Sequence, residues 1–260
     1  MRQAQCLRPL KRVLLASWAA LGLCQCQLAP TTSWPVSPAA LGSSGRVLMV
    51  GDSLSVGAFG EAIQQYLFQK VGTRKTYLYA SCGSSVQHWL SFTDTFTSSC
   101  GYRETRPGVQ RVMEHAKGRR PVAMPTPKIE TLLRNIRPDT LIVQLGTNHY
   151  DDLKRLSSAT LREERARIET FAAALDSNPH RPRFIIWIAP PDSSRYSNSV
   201  ENAVEHAILE SCRRHRIMVV RSRALTRYQR GRSGSDGVHY NETAAKAWAA
   251  WVIRGIDPRF

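Results

Sequence analysis

Residues Arg46-Val47-Leu48-Met49-Val50-Gly51-Asp52-Ser53-Leu54-Ser55-Val56-Gly57 run from a short apolar stretch of β character, through a Gly-Asp-Ser turn, into a helical pattern that begins at Leu54. A serine at such a corner lies at the carboxyl edge of a sheet, beside helix N-terminal amides that favour negative charge. Ser53 is therefore a candidate nucleophile. Alone the triplet carries little weight, because Gly, Asp and Ser are also ordinary residues of turns and helix N-caps.

The rest of the chain supplies a frame for that corner. Apolar β-rich runs recur at residues 46–50, 75–80, 140–145, 184–189 and 217–220, and helical patterns cover 54–70, 128–135, 158–176, 199–215 and 242–253. Strands alternating with helices predict an α/β domain whose five-stranded parallel sheet is covered on both faces. Residues 84–127 break the alternation: the stretch is Ser/Thr-rich, then basic, then punctuated by Pro121, Pro125 and Pro127. It is too long for an ordinary connection. Trp89, Phe92, Phe96 and Tyr102 give it aromatic surface to pack, so we expect an ordered excursion near the active edge.

At 260 residues and 42% hydrophobic, the chain is long enough for one full-sized α/β domain. Thirty-six basic residues against 20 acidic ones leave a net charge of +16, which attracts anionic partners without naming them. Arg2, Arg8, Lys11 and Arg12 followed by the apolar run from Val13 to Leu23 have the layout of a secretory signal peptide, too short to span a bilayer comfortably. Residues 1–26 are assigned to that leader and 27–45 to a linker rich in Thr, Ser and Pro. Without the four basic residues of the leader, which holds no acid, the charge falls from +16 to +12. Cys24 and Cys26 raise lipid attachment to a membrane, which bulky Leu23 disfavours. The expected location is secreted or periplasmic. In an oxidising compartment Cys82 and Cys100 are expected to pair rather than remain buried thiols, and Cys212, in a helical pattern, reads as a core residue.

Two further segments carry chemistry. The third strand ends in Gln144-Leu145-Gly146-Thr147-Asn148-His149, so that Asn148 stands at the same sheet edge as Ser53, where its amide can donate to an oxyanion. Near the C-terminus, Ser235-Asp236-Gly237-Val238-His239-Tyr240-Asn241 precedes the final helix, and Asp236 and His239 can meet as an orienting carboxylate and a general base. Each residue also has an ordinary reading as a turn or helix-flanking residue. Their joint occurrence in this order carries the inference.

With these motifs the sequence resembles the SGNH hydrolases, the GDSL-type esterase superfamily, over roughly Arg46 to Arg254. The resemblance implies a flavodoxin-like three-layer α/β/α sandwich for residues 46–260. It also implies Ser53 as nucleophile, His239 as base, Asp236 as its carboxylate, and an oxyanion hole formed by Ser53, Gly83 and Asn148. Gly83 enters through the resemblance only, as the glycine after the second strand in Ala80-Ser81-Cys82-Gly83-Ser84-Ser85. The family's third motif often reads Gly-x-Asn-Asp, whereas His149 follows Asn148 here, so the bonding that fixes that loop is expected to differ. No metal-binding or Walker-type motif is present in the sequence, and neither a cofactor nor a metal is expected.

The implied reaction is acyl transfer through an acyl-enzyme. The expected substrate is a short acyl, notably acetyl, ester of a carbohydrate or cell-envelope glycan. An O-acyltransferase using the same triad and a lipase or lysophospholipase are alternatives. A non-catalytic binder of anionic polymer is a third, and nucleic acid is disfavoured by the leader. Arg221, Arg223, Arg227, Arg230 and Arg232 lead into Asp236, and Arg103 and Arg106 follow Gly83; if they border the site, they select an anionic glycan.

Overall fold

The computed structural model describes residues 45–114 and 121–257. The expected leader at 1–26, nearly all of the linker at 27–45, and Cys24 and Cys26 lie outside them. The chain order is β1 (Val47–Gly51), α1 (Ser53–Val56), α2 (Ala58–Val71), β2 (Thr76–Ser81), β3 (Thr97–Ser98), β4 (Tyr102–Arg106), β5 (Val109–Met113), β6 (Met124–Pro125) and α3 (Ile129–Ile136). It continues with β7 (Thr140–Gln144), α4 (His149–Asp152), α5 (Ser158–Asp176), β8 (Phe184–Ile188), α6 (Asn198–Arg214), β9 (Met218–Val220) and α7 (Glu242–Ile256). None of the described helices is long and apolar enough to cross a membrane.

The main sheet has the order β5-β4-β2-β1-β7-β8-β9. The five strands from β2 to β9 are parallel, in the flavodoxin-like order 2-1-3-4-5 when counted among themselves. The expected count of five is corrected to seven, because the excursion contributes β4 and β5 as an antiparallel hairpin paired to the free edge of β2. Extended backbone bonds whichever edge it reaches, and such a pairing lies between segments too far apart for local periodicity to register.

Strand alternation sorts the core into two layers. Leu48 and Val50 of β1 pack with Leu133 of α3, Phe171 of α5 and Ile208 of α6, whereas Val47 and Met49 face Phe59 and Ile63 of α2 and Trp248 of α7. Both faces of β1 are buried, so it reads as a continuous apolar run rather than an alternating one. Helices α2 and α7 are thus on one side of the sheet, and α3, α5 and α6 on the other. The helix expected over 54–70 is broken in two: Gly57 turns extended (φ −82°, ψ −151°) and ends the single turn of α1.

The excursion is fastened at its start. Cys82 and Cys100 form a disulfide with Cα atoms 5.5 Å apart, and the Cys82 N–H donates to Gly101 O at 2.9 Å. Lys128 closes the far end by donating to the carbonyls of His88, Thr93 and Asp94 and to Thr93 Oγ1, at 3.1–3.3 Å. Cys212 is a buried free thiol of the core, as expected. Replacing Cys82 and Cys100 together by alanine should cost about 3 kcal/mol, the chain-entropy value for a loop of this size. Thermal melts of the double variant against the non-reduced parent check this, and identical melts would contradict it.

Candidate active site

Three loops meet at the carboxyl edge of the sheet because β1 is paired in parallel with both β2 and β7. This is the switch point at which open α/β sheets bind ligands. The turn after β1 carries Ser53, the turn after β2 carries Gly83, and the turn after β7 carries Asn148.

The first turn is built by its own short side chains. Asp52 is the N-cap of α1, with Oδ1 accepting from the Leu54 N–H at 3.0 Å and its backbone N–H donating to Gln144 O at 3.1 Å. Ser55 reaches back across β1 to donate to Gln144 Oε1 at 2.6 Å, passing so close that a Cβ on Gly51 would lie 2.3 Å from its Oγ. Only glycine fits there. Ser53 is the first helical residue, and its N–H has no carbonyl within the helix to bond.

Gly83 occupies the third position of a turn closed by Ser84 N–H donating to Ser81 O at 3.1 Å, with φ +81°. Turns with positive φ at that position demand glycine. Ser84 is braced from behind by the buried Trp89 indole, whose N–H donates to Ser84 Oγ at 3.1 Å. Asn148 Nδ2 donates to Ser84 O at 2.9 Å. One of its two N–H groups therefore locks the turn after β7 to the turn after β2, and the other is left for a third partner.

Asp236 and His239 meet on a turn that Asp236 itself folds. Its Oδ1 accepts from the Val238 N–H at 2.9 Å and the His239 N–H at 2.8 Å, and its Oδ2 lies 2.6 Å from His239 Nδ1. Burial would raise the Asp236 pKa, but the hydrogen bonds from His239 and from the two backbone amides prevail and hold it at about 2. The carboxylate is thus an acceptor at neutral pH, which makes Nδ1 the donor and leaves the Nε2 lone pair facing Ser53 Oγ at 2.9 Å. Tyr228 braces the turn: its hydroxyl donates to His239 O at 3.2 Å and accepts from the Gly237 N–H at 3.1 Å.

Ser53, His239 and Asp236 are therefore joined in series, and Gly83 and Asn148 are joined to each other across the same edge. A hydroxyl held on an imidazole that is itself held by a carboxylate can lose its proton as it attacks a carbonyl. Beside Ser53 and His239 opens a cavity of about 90 Å³, floored by Leu54, Phe59, Ala245 and Trp248.

The expected arginine rim is corrected at Arg103 and Arg223, whose side chains are largely buried. Arg103 is 4% exposed and points inward, Arg106 pairs with Glu104, Arg221 with Glu205, and Arg223 with Glu201 and Glu205. Carboxylates of α6 claim the guanidinium groups of Arg221 and Arg223, Arg106 pairs within its own strand, and Arg103 bonds backbone carbonyls. Arg106, Arg221, Arg227, Arg230 and Arg232 remain exposed.

Two polar groups beneath the site carried only weak sequence signals. Asp52 is fully buried, and its Oδ2, like Gln144 Nε2 and Thr147 Oγ1, has no partner within hydrogen-bond geometry among the described residues. Burial lifts its pKa to about 6 against the opposing pull of the Leu54 N–H, Gln144, the charge of His239 and Thr147. His149, the departure from the family's third motif, is buried with Nδ1 on Glu164 Oε2, while Glu164 Oε1 accepts from Arg167 at 2.7 Å. His149, Asp152 and Glu164 present donor atoms within 4.8 Å of one another. Arg167 pairs with both acids, so a guanidinium already supplies the positive charge that a metal would bring.

A parallel α/β/α sheet with a Ser-His-Asp series at its switch point defines a hydrolase of the serine type. The chain belongs to the GDSL-like lipase/acylhydrolase family, whose model matches residues 47–252, and is a carboxylic ester hydrolase. No curated protein sequence matches it significantly. Solved structures share its fold at low identity. An acetylxylan esterase, Axe2, from Geobacillus stearothermophilus is 12% identical with a TM-score of 0.52, covering 84% of this chain and 96% of its own. A lipase/acylhydrolase from Enterococcus faecalis is 14% identical with a TM-score of 0.50 over 82% and 96%. LAE5, an α/β hydrolase enzyme from the metagenome of Lake Arreo, Spain, is 12% identical with a TM-score of 0.53 over 84% and 97%.

The raised pKa of Asp52 has a definite sign in stability. A folded pKa above the unfolded one favours folding below the unfolded value of 3.8, and that stabilisation is lost as pH rises through about 6. Asp52→Asn keeps the acceptor for the Leu54 N–H and has no charge to bury. It should therefore gain stability over the parent at pH 8, by on the order of 3 kcal/mol at most, and little at pH 4. Urea titrations at the two pH values check this, and equal differences at both would contradict it.

Proposed function

We propose that Ser53 is the nucleophile of an exported esterase that removes short acyl groups, acetyl above all, from a glycan. The hydrogen-bond series Ser53 Oγ, His239, Asp236, at 2.9 and 2.6 Å, carries the reading. His239 Nε2 takes the hydroxyl proton as Oγ attacks the ester carbonyl, and Asp236 stabilises the imidazolium that forms. The oxyanion is held by the backbone N–H groups of Ser53 and Gly83 and by the free N–H of Asn148. The imidazolium returns its proton to the leaving alcohol, and water attacks the acyl-enzyme by the same route in reverse.

The small cavity beside Ser53 favours a short acyl group over a fatty one. The acetylxylan esterase of similar fold acts on an acetylated glycan, which is compatible with this choice. The Cys82–Cys100 pairing and the leader-like N-terminal sequence support a secreted or periplasmic location, where disulfides persist.

Ser53→Ala and His239→Ala should each abolish nearly all hydrolysis of p-nitrophenyl acetate, with the double variant little worse than either, because the groups act as a unit. Asn148→Ala should lower kcat by ~10²–10³ with a smaller change in KM. A serine-reactive phosphonate should label Ser53. If Ser53→Ala kept substantial turnover while Ser55→Ala lost it, the nucleophile would be the other serine of the turn. Faster turnover of long-chain than of acetyl esters would replace the acetylesterase reading by a lipase.

An acidic glycan is favoured by exposed guanidinium groups beside the catalytic turn. Arg230 Nε donates to Ser235 O at 3.0 Å, and Arg195 packs against Gly237. The kcat/KM for an ester on an anionic glycan should fall steeply between low salt and 0.1 M, where the Debye length is ~10 Å, and a neutral ester should be nearly indifferent. Arg195→Gln with Arg230→Gln should abolish that difference. Equal salt dependence of both substrates in the parent would remove the preference for an acidic polymer.

A further inference from the structure

The antiparallel hairpin reaches into the nucleophile's own turn. Arg103, on β4, is 4% exposed, yet among the described residues no carboxylate forms an ion pair with it. Its Nε donates to Val56 O at 2.7 Å, its Nη2 to Gly57 O at 3.4 Å and its Nη1 to Gln64 Oε1 at 3.3 Å. Val56 is the last residue of α1 and Gly57 its C-cap. A helix of one turn satisfies almost none of its carbonyls internally, and its C-terminal end carries partial negative charge. A buried guanidinium answers both needs with donors and with charge.

The opposite end of that turn is Ser53. At 1.5 Å per residue, α1 is only about 6 Å long, so a tilt at Val56 is felt at the nucleophile. Its far end has no other charged anchor among the bonds described for α1, and α2 does not continue it, since Gly57 breaks the helix. The arm that delivers Arg103 is itself tethered: Cys100, three residues earlier, is bonded to Cys82, and the Cys82 N–H bonds Gly101 O. Two catalytic turns are thereby held by one piece of the excursion, the Gly83 turn through the disulfide and the Ser53 turn through the guanidinium.

We propose that Arg103 is a positioning residue that clamps the C-terminal end of α1 and so keeps Ser53 Oγ on His239 Nε2. The proposal rests on the reading of Ser53 as nucleophile. It gives the hairpin a role in catalysis that does not require contact with substrate, and it explains why a basic residue of the excursion is buried rather than presented at the rim. Misplacement of a reacting group by 1 Å costs on the order of 10²-fold in rate, which sets the scale of the expected effect.

The test compares Arg103→Met, Arg103→Lys and Thr105→Val with the parent, all with kcat expressed per site titrated by the phosphonate. Thr105 Oγ1 donates to Gln64 Oε1 at 2.7 Å, so Thr105→Val loosens the same hairpin without removing a hydrogen bond to α1. Arg103→Met should lower kcat on p-nitrophenyl acetate by about 10- to 100-fold with KM within about twofold, and slow phosphonate labelling by the same factor. Arg103→Lys, which can still donate to a carbonyl, should fall between it and the parent. Thr105→Val should lower Tm and leave kcat unchanged. An unchanged kcat in Arg103→Met, or an equal loss in Thr105→Val, would overturn the clamp while leaving the nucleophile in place. Should Arg103→Met fail to fold, Arg103→Lys decides on the same measurements, an unchanged kcat counting against the proposal. A parent enzyme that neither hydrolyses the ester nor labels at Ser53 would overturn the nucleophile reading and the clamp together.

Discussion

Parallel pairing of β1 with β2 on one side and β7 on the other is the constraint on which the site depends. Strands that run the same way end at the same edge, so the turns after these three are neighbours whatever their sequences. Crossover connections then place helices on both faces, and the outer strands and helices bury the sheet. The chemistry is concentrated in turns of a few residues: Gly51-Asp52-Ser53, Cys82-Gly83-Ser84 and Gly146-Thr147-Asn148. Their spacing is a property of the backbone ladder, and their side chains are then adjusted by local hydrogen bonds.

Each turn trades stability for placement in a different way. Gly51 leaves room for Ser55 to bond Gln144, and Gly83 adopts a positive φ that other residues resist. Asp52 is a third case. Its carboxyl is buried beside Gln144 and Thr147 and its pKa is raised to about 6, so the residue next to Ser53 is held partly against its own solvation. Buried polar groups of this kind cluster at functional sites, where placement outweighs stability. Asp236 shows the opposite solution: three donors hold it low, and the same contacts fold the turn that aims His239.

The excursion between β2 and α3 joins these turns to a wider frame. It enters through the Gly83 turn, is closed by the Cys82–Cys100 bond, adds two strands to the sheet, and is fastened again by Lys128 before α3. A long connection at an active edge is commonly regarded as a lid. In its described parts this one is bonded to the turns beneath it, Arg103 donating to Val56 O and Ser84 O accepting from Asn148.

Much of this was legible in the chain itself. The five parallel strands, the principal helices, and Ser53, Asp236, His239 and Asn148 follow from apolar runs that are short, from turns rich in Gly, Asp and Asn, and from the order of those turns. These are local signals. Asp236 and His239 could be paired from sequence because three residues separate them on one turn, and the contact is therefore local. The hairpin β4–β5 was hidden because its partner edge, β2, lies more than twenty residues upstream. Arg103 read as a surface charge because composition records that a residue is basic, whereas only packing decides whether carbonyls or solvent receive its guanidinium. Asp52 looked like turn vocabulary for the same reason: its raised pKa is a consequence of burial under β7, and burial is set by the assembled sheet. The chain determined which chemistry is available and at which strand ends, since those depend on residue type and local periodicity. Tertiary structure decided which charges stay exposed and which are buried against carbonyls or carboxylates, because desolvation and long-range pairing exist only once the layers have closed.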